Sequence, residues 1–172
     1  MRQITKVAIT TISAALALTL TSCSGAGPNA ATRMINRVTD GAEAQVTDNG
    51  YDIRISNLLL VKTGDSATVL VGNIVNRADE SDILTSIVTS KTVANLTGEI
   101  NLLANKPIFF EGDSANAKAI FTGEEFTPGT TMAIGLNFAK AGRVIVRVII
   151  REASDVYAGI TAEPLTAPAT AK

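Results

Sequence analysis

Residues 131–151, "TMAIGLNFAKAGRVIVRVIIR", alternate between apolar and small or polar side chains in two runs that meet at a short loop. Successive side chains of a β-strand point to opposite faces of a sheet, so each run predicts a strand with one face toward a core. The loop is predicted to be residues 140–142, with Gly142 in the positive-φ conformation that three-residue hairpin loops require. The stretch therefore predicts an antiparallel hairpin.

The three-residue loop also predicts which residues of the hairpin lie opposite one another. The resulting apolar pairs are Phe138 with Val144, Leu136 with Val146, Ile134 with Val148, and Met132 with Ile150. A slip of one residue would move the apolar set of one strand to the other face, so the alternation excludes it. All four pairs are predicted to face the core.

The rest of the chain contains further short apolar runs of the same kind. The predicted strands are residues 43–46, 51–61, 67–76, 83–89, 92–96, 100–103, 107–110, 115–121, 131–139 and 143–151. Turn-forming sequences such as Asn49-Gly50 and Pro128-Gly129 separate most of them. Because no sustained helical period lies between the runs, the sequence predicts an all-β sandwich or barrel.

One predicted strand breaks its own alternation. In residues 51–61, "YDIRISNLLLV", Ile53 and Ile55 keep the period of two, but Asn57 falls where the next apolar residue should be. A β-bulge near Ser56 and Asn57, or a crossing between sheets, would restore the pattern.

The first residues are typical of a targeting signal. Arg2 and Lys6 precede the apolar segment 7–20, which is shorter than the ~20 residues of a membrane-spanning helix. The following residues 20–23, "LTSC", resemble the lipobox of bacterial lipoprotein precursors. The resemblance implies cleavage before Cys23 and its modification with diacylglyceryl and N-acyl groups, which would anchor the protein at the extracytoplasmic face of the cell membrane. An ordinary secretory signal with an incidental cysteine is the alternative.

The chain is therefore expected to have four parts. These are a lipoprotein signal peptide at 1–22, a lipid anchor and tether at 23–40, a β-sandwich domain at 41–155, and an Ala/Thr/Pro-rich tail at 156–172. The end of the tail has almost nothing to bury, so it is expected to be disordered. Without the signal peptide, 13 basic residues face 16 acidic ones. This mild, scattered charge predicts no nucleic-acid partner.

Three stretches resemble a known family. Residues 51–61, residues 67–84 "ATVLVGNIVNRADESDIL" and residues 128–150 "PGTTMAIGLNFAKAGRVIVRVII", behind a lipobox, resemble the LpqE-like actinobacterial lipoprotein family. That family is similar in turn to the periplasmic copper chaperones. The resemblance implies an immunoglobulin-like or cupredoxin-like β-sandwich that is largely antiparallel.

The ligands of a copper chaperone are missing from this chain. Copper chaperones bind Cu(I) through histidine and methionine, which are soft ligands for a soft ion. The sequence has no histidine, its methionines after the signal are Met34 and Met132, and Cys23 is assigned to the lipid. Copper binding is therefore not expected, and no metal or other cofactor is predicted.

No pattern of catalytic residues is present either. The absence of histidine removes the commonest general base and the usual catalytic triads, so no enzymatic activity is predicted. The acidic turn 79–82, "DESD", offers oxygens suited to Ca²⁺, but the spacing of a calcium loop is absent. A solvated loop is the preferred interpretation of this turn.

The outward face of the hairpin is the candidate binding surface. Arg143, Arg147 and Arg151 recur every four residues, about 13 Å apart at the rise of a strand, and alternate with isoleucines. The residues opposite are small, which indicates a shallow trough suited to an anionic envelope polymer, lipid headgroup or protein. Alternatively, the arginines keep an exposed strand soluble and prevent edge pairing.

Together these features predict a membrane-anchored bacterial lipoprotein that acts as a non-enzymatic binding module at the cell envelope. A carrier that holds a small apolar or lipid ligand between the two sheets is the alternative. The Val, Ile and Leu residues that fill a solid core can also line a ligand cavity. A filled interior would favour the binding module.

Overall fold

The computed structural model describes residues 40–64 and 66–165, which contain ten β-strands and two short 3-10 turns, at Asp48–Gly50 and Asp155–Tyr157. The strands are β1 (Ala42–Val46), β2 (Ile53–Lys62), β3 (Thr68–Asn76), β4 (Asp82–Val88), β5 (Asn95–Gly98), β6 (Asn101–Leu102), β7 (Pro107–Phe109), β8 (Ala117–Phe121), β9 (Thr131–Phe138) and β10 (Gly142–Glu152). The predicted signal peptide, the predicted acylation site Cys23 and the predicted tether up to residue 39 lie outside the described residues, as do residues 166–172.

The strands form two layers of one curled sheet. In the first layer β2 pairs with β3, β3 pairs with both β7 and β8, and β8 pairs with β5. In the second layer the order is β10, β9, β4 and β6. β1 pairs with the first half of β2, and the end of β10 pairs in parallel with the end of β2, which joins the layers. The remaining pairings of these strands are antiparallel, so the prediction of a largely antiparallel all-β fold is confirmed.

A continuous apolar core fills the space between the layers. Its aromatic centre includes Phe121 and Phe126, whose ring centroids lie 5.8 Å apart in a tilted arrangement. Aliphatic residues from both layers surround them, among them Leu60, Leu70 and Leu136, which have no exposed surface. The scarcity of aromatic residues is thus compensated by closely packed β-branched and leucine side chains.

The hairpin exists as predicted, but its register is shifted. Ile134, Leu136 and Val148 point into the core, as expected. The predicted pairs are nevertheless wrong by two residues, since Leu136 lies opposite Val144 and Ile134 lies opposite Val146. Gly142 has the expected positive φ of 81°, but it is the first paired residue of β10 rather than the last residue of the loop. A shift of two residues keeps every side chain on its face, so alternation determines the face and not the partner.

The hairpin loop is held by Asp82, at the start of β4. Its buried carboxylate accepts hydrogen bonds from the backbone N–H groups of Lys140 and Ala141, each at 2.9 Å, and from that of Ile83 at 2.7 Å. Next to it, Lys140 Nζ lies 2.6 Å from Glu80 Oε1. The prediction of a solvated acidic turn at 79–82 is therefore wrong for Asp82, which is 2 % exposed and fixes the loop.

The bulge predicted in β2 is confirmed. The pairing of β2 with β3 shifts between Ser56 and Leu59, so that Asn57 and Leu58 lie opposite the single residue Gly72. Asn57 adopts a φ of 52°, and Gly72 adopts a φ of 133°. A Cβ atom at Gly72 would lie 2.8 Å from the carbonyl oxygen of Asn57, which requires glycine there. Leu58, the second residue of the bulge, again points into the core.

Part of the predicted tail packs against the sandwich. Ile160 and Ala162 contact a second apolar cluster on the outside of the first layer, formed by Ala67, Val69 and Ile120. The segment covers apolar side chains that would otherwise face water. The stretch expected to have nothing to bury begins at Ala162, and residues 166–172 of it lie outside the described residues.

Candidate interaction surface

The predicted binding surface lies on the outward side of β9 and β10. Arg143 and Arg147 are exposed there, and Ile145 between them is 67 % exposed. Across the strand pair, Arg147 lies opposite Ala133, and Ile145 lies opposite Gly135. We call this surface the arginine face, which comprises Arg143, Ile145, Arg147 and Ile149 of β10 together with Thr131, Ala133, Gly135 and Asn137 of β9.

Gly135 determines how Arg143 lies on this face. A Cβ atom at Gly135 would be 2.6 Å from Arg143 Nε and 2.7 Å from Arg143 Nη2. The guanidinium therefore lies flat across the space that the missing side chain leaves, and it covers the backbone of β9. Any larger residue at 135 would displace it. Gly135 thus positions the guanidinium of Arg143.

Neither Arg143 nor Arg147 has a carboxylate partner among the described residues. Arg147 makes one long contact, from Nη1 to Thr131 Oγ1 at 3.4 Å. The outward residues of the neighbouring β4 on this side, Ser86 and Val88, are uncharged. The arginine face is therefore cationic without compensating acids.

Arg151 is different from the other two arginines. Its Nη2 lies 3.2 Å from Asp40 Oδ2, and the same carboxylate oxygen accepts a hydrogen bond from Tyr157 Oη at 3.3 Å. Arg151 Nε is buried without a hydrogen-bond partner. The predicted row of three arginines thus has two open members, and the third joins the N-terminal side of the domain to its C-terminal segment.

The surroundings of Tyr157 in this cluster change the pKa of its hydroxyl. Burial, followed by the negative charge of Asp40, raises the pKa of the Tyr157 hydroxyl above its ordinary value of 10.0. Arg151 opposes this effect but does not cancel it. The phenol therefore keeps its proton and donates to Asp40 over a wide pH range.

A surface groove of about 470 Å³ lies beside this cluster. The lining residues are Asp40, Pro128, Gly129, Arg151, Glu152, Ser154, Asp155, Val156 and Tyr157. Sequence reasoning missed both the cluster and the groove, because Asp40 was assigned to the tether and Tyr157 to the tail. No local motif marks the contact between residues that lie 117 positions apart.

The described residues do not bring metal ligands together. No group of three or more His, Cys, Asp or Glu side chains suited to a metal occurs among them. The acidic turn at 79–82 uses Asp82 for backbone hydrogen bonds and Glu80 for an ion pair with Lys140. The hydrogen bond from Lys140 to Glu80 is the main cause of the raised pKa of Lys140.

The described residues contain no helix that is long and apolar enough to cross a bilayer.

Fold and surface together define a small β-sandwich of the cupredoxin-like or immunoglobulin-like class, with an open cationic face. Solved structures of this class match it. The apo PCuAC domain from PmoF1 is 18 % identical with a TM-score of 0.55, covering 64 % of this chain and 99 % of that one. The copper-bound PCuAC domain from PmoF2 is 19 % identical with a TM-score of 0.53, covering 64 % and 98 %.

The apo form of the PmoF2 domain gives a similar result, with 17 % identity, a TM-score of 0.51 and coverage of 65 % and 94 %. No family model and no curated protein matches the chain. At these identities the likeness establishes the fold, so the predicted sandwich class and the distant similarity to copper chaperone domains are confirmed. The relation to the LpqE-like family stays a prediction.

The described residues do not fit a copper ion. Cu(I) prefers thiolate, thioether and imidazole ligands, and the chain has no histidine. Among the described residues Met132 is the only methionine, and no cysteine occurs. Met132 is half-buried and packs against the core. One inward-facing thioether is not a copper site.

Proposed function

We propose that this protein is a bacterial lipoprotein, anchored through Cys23 at the extracytoplasmic face of the cell membrane, that acts as a non-enzymatic binding module. Its binding surface is the arginine face, and its partner is anionic. This proposal depends on a single observation. Arg143 and Arg147 are exposed on either side of the exposed Ile145, and neither is paired with an acid among the described residues.

The charge of the domain makes this face distinctive. Residues 40–165 contain ten basic and sixteen acidic side chains, so the domain as a whole is negative. Four of these basic side chains form ion pairs among the described residues, as Lys140 does with Glu80. Arg143 and Arg147 are not among them, and both are exposed on the same face of β10, which supports recognition of an anion rather than a role in solubility alone.

The filled interior favours a binding module over a carrier. Leu58, Leu60 and Leu136 meet between the layers with no exposed surface, and the core is one continuous cluster. A carrier of a small ligand needs a pocket of about 300–1,000 Å³ enclosed by apolar residues. The groove described above lies instead at the surface and is lined largely by polar residues.

The likeness to copper chaperone domains supports the fold in this proposal, but copper is not proposed as the ligand. Their role as chaperone domains is consistent with a binding rather than a catalytic function. Since Met132 is the one thioether or thiol side chain among the described residues, the partner is assigned from the chemistry of the arginine face.

Site-specific photo-crosslinking in living cells tests the proposal. A photoreactive amino acid at the exposed Ala133 is expected to capture a partner, and the yield should fall in the variant Arg143→Ser/Arg147→Ser. The matched control Lys91→Ser/Lys106→Ser removes the same charge from exposed positions elsewhere and should leave the yield unchanged. Equal capture in all three proteins would contradict a role for the arginine face.

The anchor is tested separately by mass spectrometry of the purified protein. An N-terminal Cys23 with diacylglyceryl and N-acyl groups is the expected result, and Cys23→Ala should appear in the soluble fraction. An intact leader peptide or an unmodified thiol at Cys23 would overturn the assigned location.

A further inference from the structure

We propose that the partner of the arginine face is the anionic headgroup layer of the same membrane to which Cys23 is anchored, so that the sandwich lies with β9 and β10 against the lipid. This inference rests on the proposed function and names its partner. It follows from where the chain enters the domain, from the charge of the domain, and from the exposed isoleucine.

The chain enters the domain at one end of the row of arginines. Asp40, the first described residue, lies 3.2 Å from Arg151, on the strand that carries Arg143 and Arg147. Arg147 and Arg143 follow at about 13 and 26 Å along that strand. The seventeen Cα–Cα steps from Cys23 to Asp40 span at most ~60 Å when fully extended. The whole arginine face is therefore within reach of the membrane surface.

The charge of the domain selects this side of it. A negative domain is repelled by an anionic bilayer, and salt limits the interaction to charges within about 8 Å of the surface. Attraction thus requires a face whose own charges are all positive. The arginine face meets this condition, because its residues other than the arginines are Thr131, Ala133, Gly135, Asn137, Ile145 and Ile149.

The exposed isoleucine distinguishes a lipid surface from an acidic polymer. Ile145 is 67 % exposed between two guanidinium groups. Surfaces that lie in the headgroup region combine basic side chains with apolar ones, because this region accepts phosphate contacts and partial burial of hydrocarbon together. A polyanion in water offers charge but nothing in which to bury Ile145.

The anchor makes a weak contact sufficient. A linked binding surface meets its partner at an effective concentration in the millimolar range, so docking requires little intrinsic affinity. Two arginines near an anionic surface each contribute roughly 1 kcal/mol, and their loss is expected to lower the ratio of docked to undocked domains about 25-fold.

The test uses the full lipidated chain in vesicles of phosphatidylcholine with 30 % phosphatidylglycerol. Acylated Cys23 has no free thiol, so Ile145→Cys provides a unique site for an environment-sensitive fluorophore. The label is expected to shift to the blue and to be quenched by a headgroup-level quencher lipid. Arg143→Ser/Arg147→Ser, added salt or pure phosphatidylcholine vesicles should each abolish the effect.

Two controls make the result specific. A label at Ser114→Cys, exposed in the loop between β7 and β8 of the other layer, should stay in water, and Lys91→Ser/Lys106→Ser should leave docking at position 145 intact. Water-like emission at position 145 in the anionic vesicles, with the protein inserted, would overturn the proposed docking and leave the anchor standing. A protein that inserts into no vesicle lacks the anchor, and the proposed function fails.

Discussion

Asp82 shows how a single carboxylate can position a hairpin at a distance in the sequence. It lies at the start of β4, 58 and 59 positions before the two loop residues whose N–H groups it binds. In the sequence it belongs to an acidic turn, and nothing there separates it from Asp79 or Glu80. Its role depends on burial at the end of the sandwich, which only the tertiary structure determines.

Replacement of Asp82 by alanine is expected to destabilise the fold by about 3 kcal/mol. The substitution leaves three backbone N–H groups without their charged acceptor, two of them in the hairpin loop. Asp82→Asn keeps an acceptor oxygen and should have an intermediate effect. Urea unfolding at neutral pH measures the change, with the exposed Asp79→Ala as control, expected within 0.5 kcal/mol of wild type. Equal stability of Asp82→Ala and Asp79→Ala would refute this role.

The free energy of unfolding is expected to depend on pH through Tyr157. The pKa of its hydroxyl is raised in the folded protein, chiefly by burial, so the folded state keeps a proton that the unfolded state loses near pH 10. The contribution of Tyr157 to stability is therefore complete below about pH 10 and is lost as the pH rises through the raised pKa.

The expected result is a steeper loss of unfolding free energy between about pH 9.5 and 11.5 in wild type than in Tyr157→Phe. Tyr51→Phe, which removes the other tyrosine of the chain, is the matched control for the loss of one phenol. Because lysines titrate in the same range, the difference between the variants is the quantity to compare. Parallel curves for wild type and Tyr157→Phe would argue against the contact with Asp40.

At the scale of elements, alternation predicted most strands and the bulge, but not the partner of each residue. The faces of β9 and β10 follow from the period of two, and the interruption at Asn57 correctly indicated the bulge. The register needed information about the loop. The sequence suggested a loop of residues 140–142, whereas Asp82 holds residues 140 and 141 and Gly142 begins the strand. The preference for glycine in hairpin loops does not tell whether Gly142 is the last residue of the loop or the first paired residue of β10.

Engineered disulfides test the register directly. In the Cys23→Ala background, Ala133→Cys/Arg147→Cys joins residues that lie opposite one another, where Cα atoms are about 4.5–5.5 Å apart and a disulfide can close. Ala133→Cys/Ile149→Cys joins the pair expected from a loop of residues 140–142, and these positions are diagonal neighbours in this structure. Rapid oxidation is expected for the first pair and slow oxidation for the second, measured by gel shift after thiol labelling. The reverse order would support the predicted register, in which Ala133 lies opposite Ile149.

At the scale of the whole molecule, the sequence predicted the fold class and missed how the ends of the domain meet. Asp40 was assigned to the tether and the region after 155 to a tail, yet Asp40 contacts Tyr157, and Ile160 packs on Val69 and Ile120. Short segments rich in Ala, Thr and Pro carry little apolar patterning of their own. Their packing depends on the apolar outer surface of the first layer. A strand that is covered on both faces has no apolar and polar alternation, so its sequence does not predict this second apolar surface.

The likeness to copper chaperone domains raises the question of whether this chain binds Cu(I). The fold is shared, but metal binding requires ligands, and the described part offers Met132 alone, packed against the core opposite Val148. Purified Cys23→Ala protein, which has no thiol to bind the metal, is therefore expected to leave Cu(I) with a chelator such as bicinchoninate, while a PCuAC domain competes for it. Competition titration by absorbance measures this. Retention of one Cu(I) per chain at an affinity tighter than about 1 µM would show that the chain assembles soft ligands after all, and Met34→Leu and Met132→Leu would then identify them.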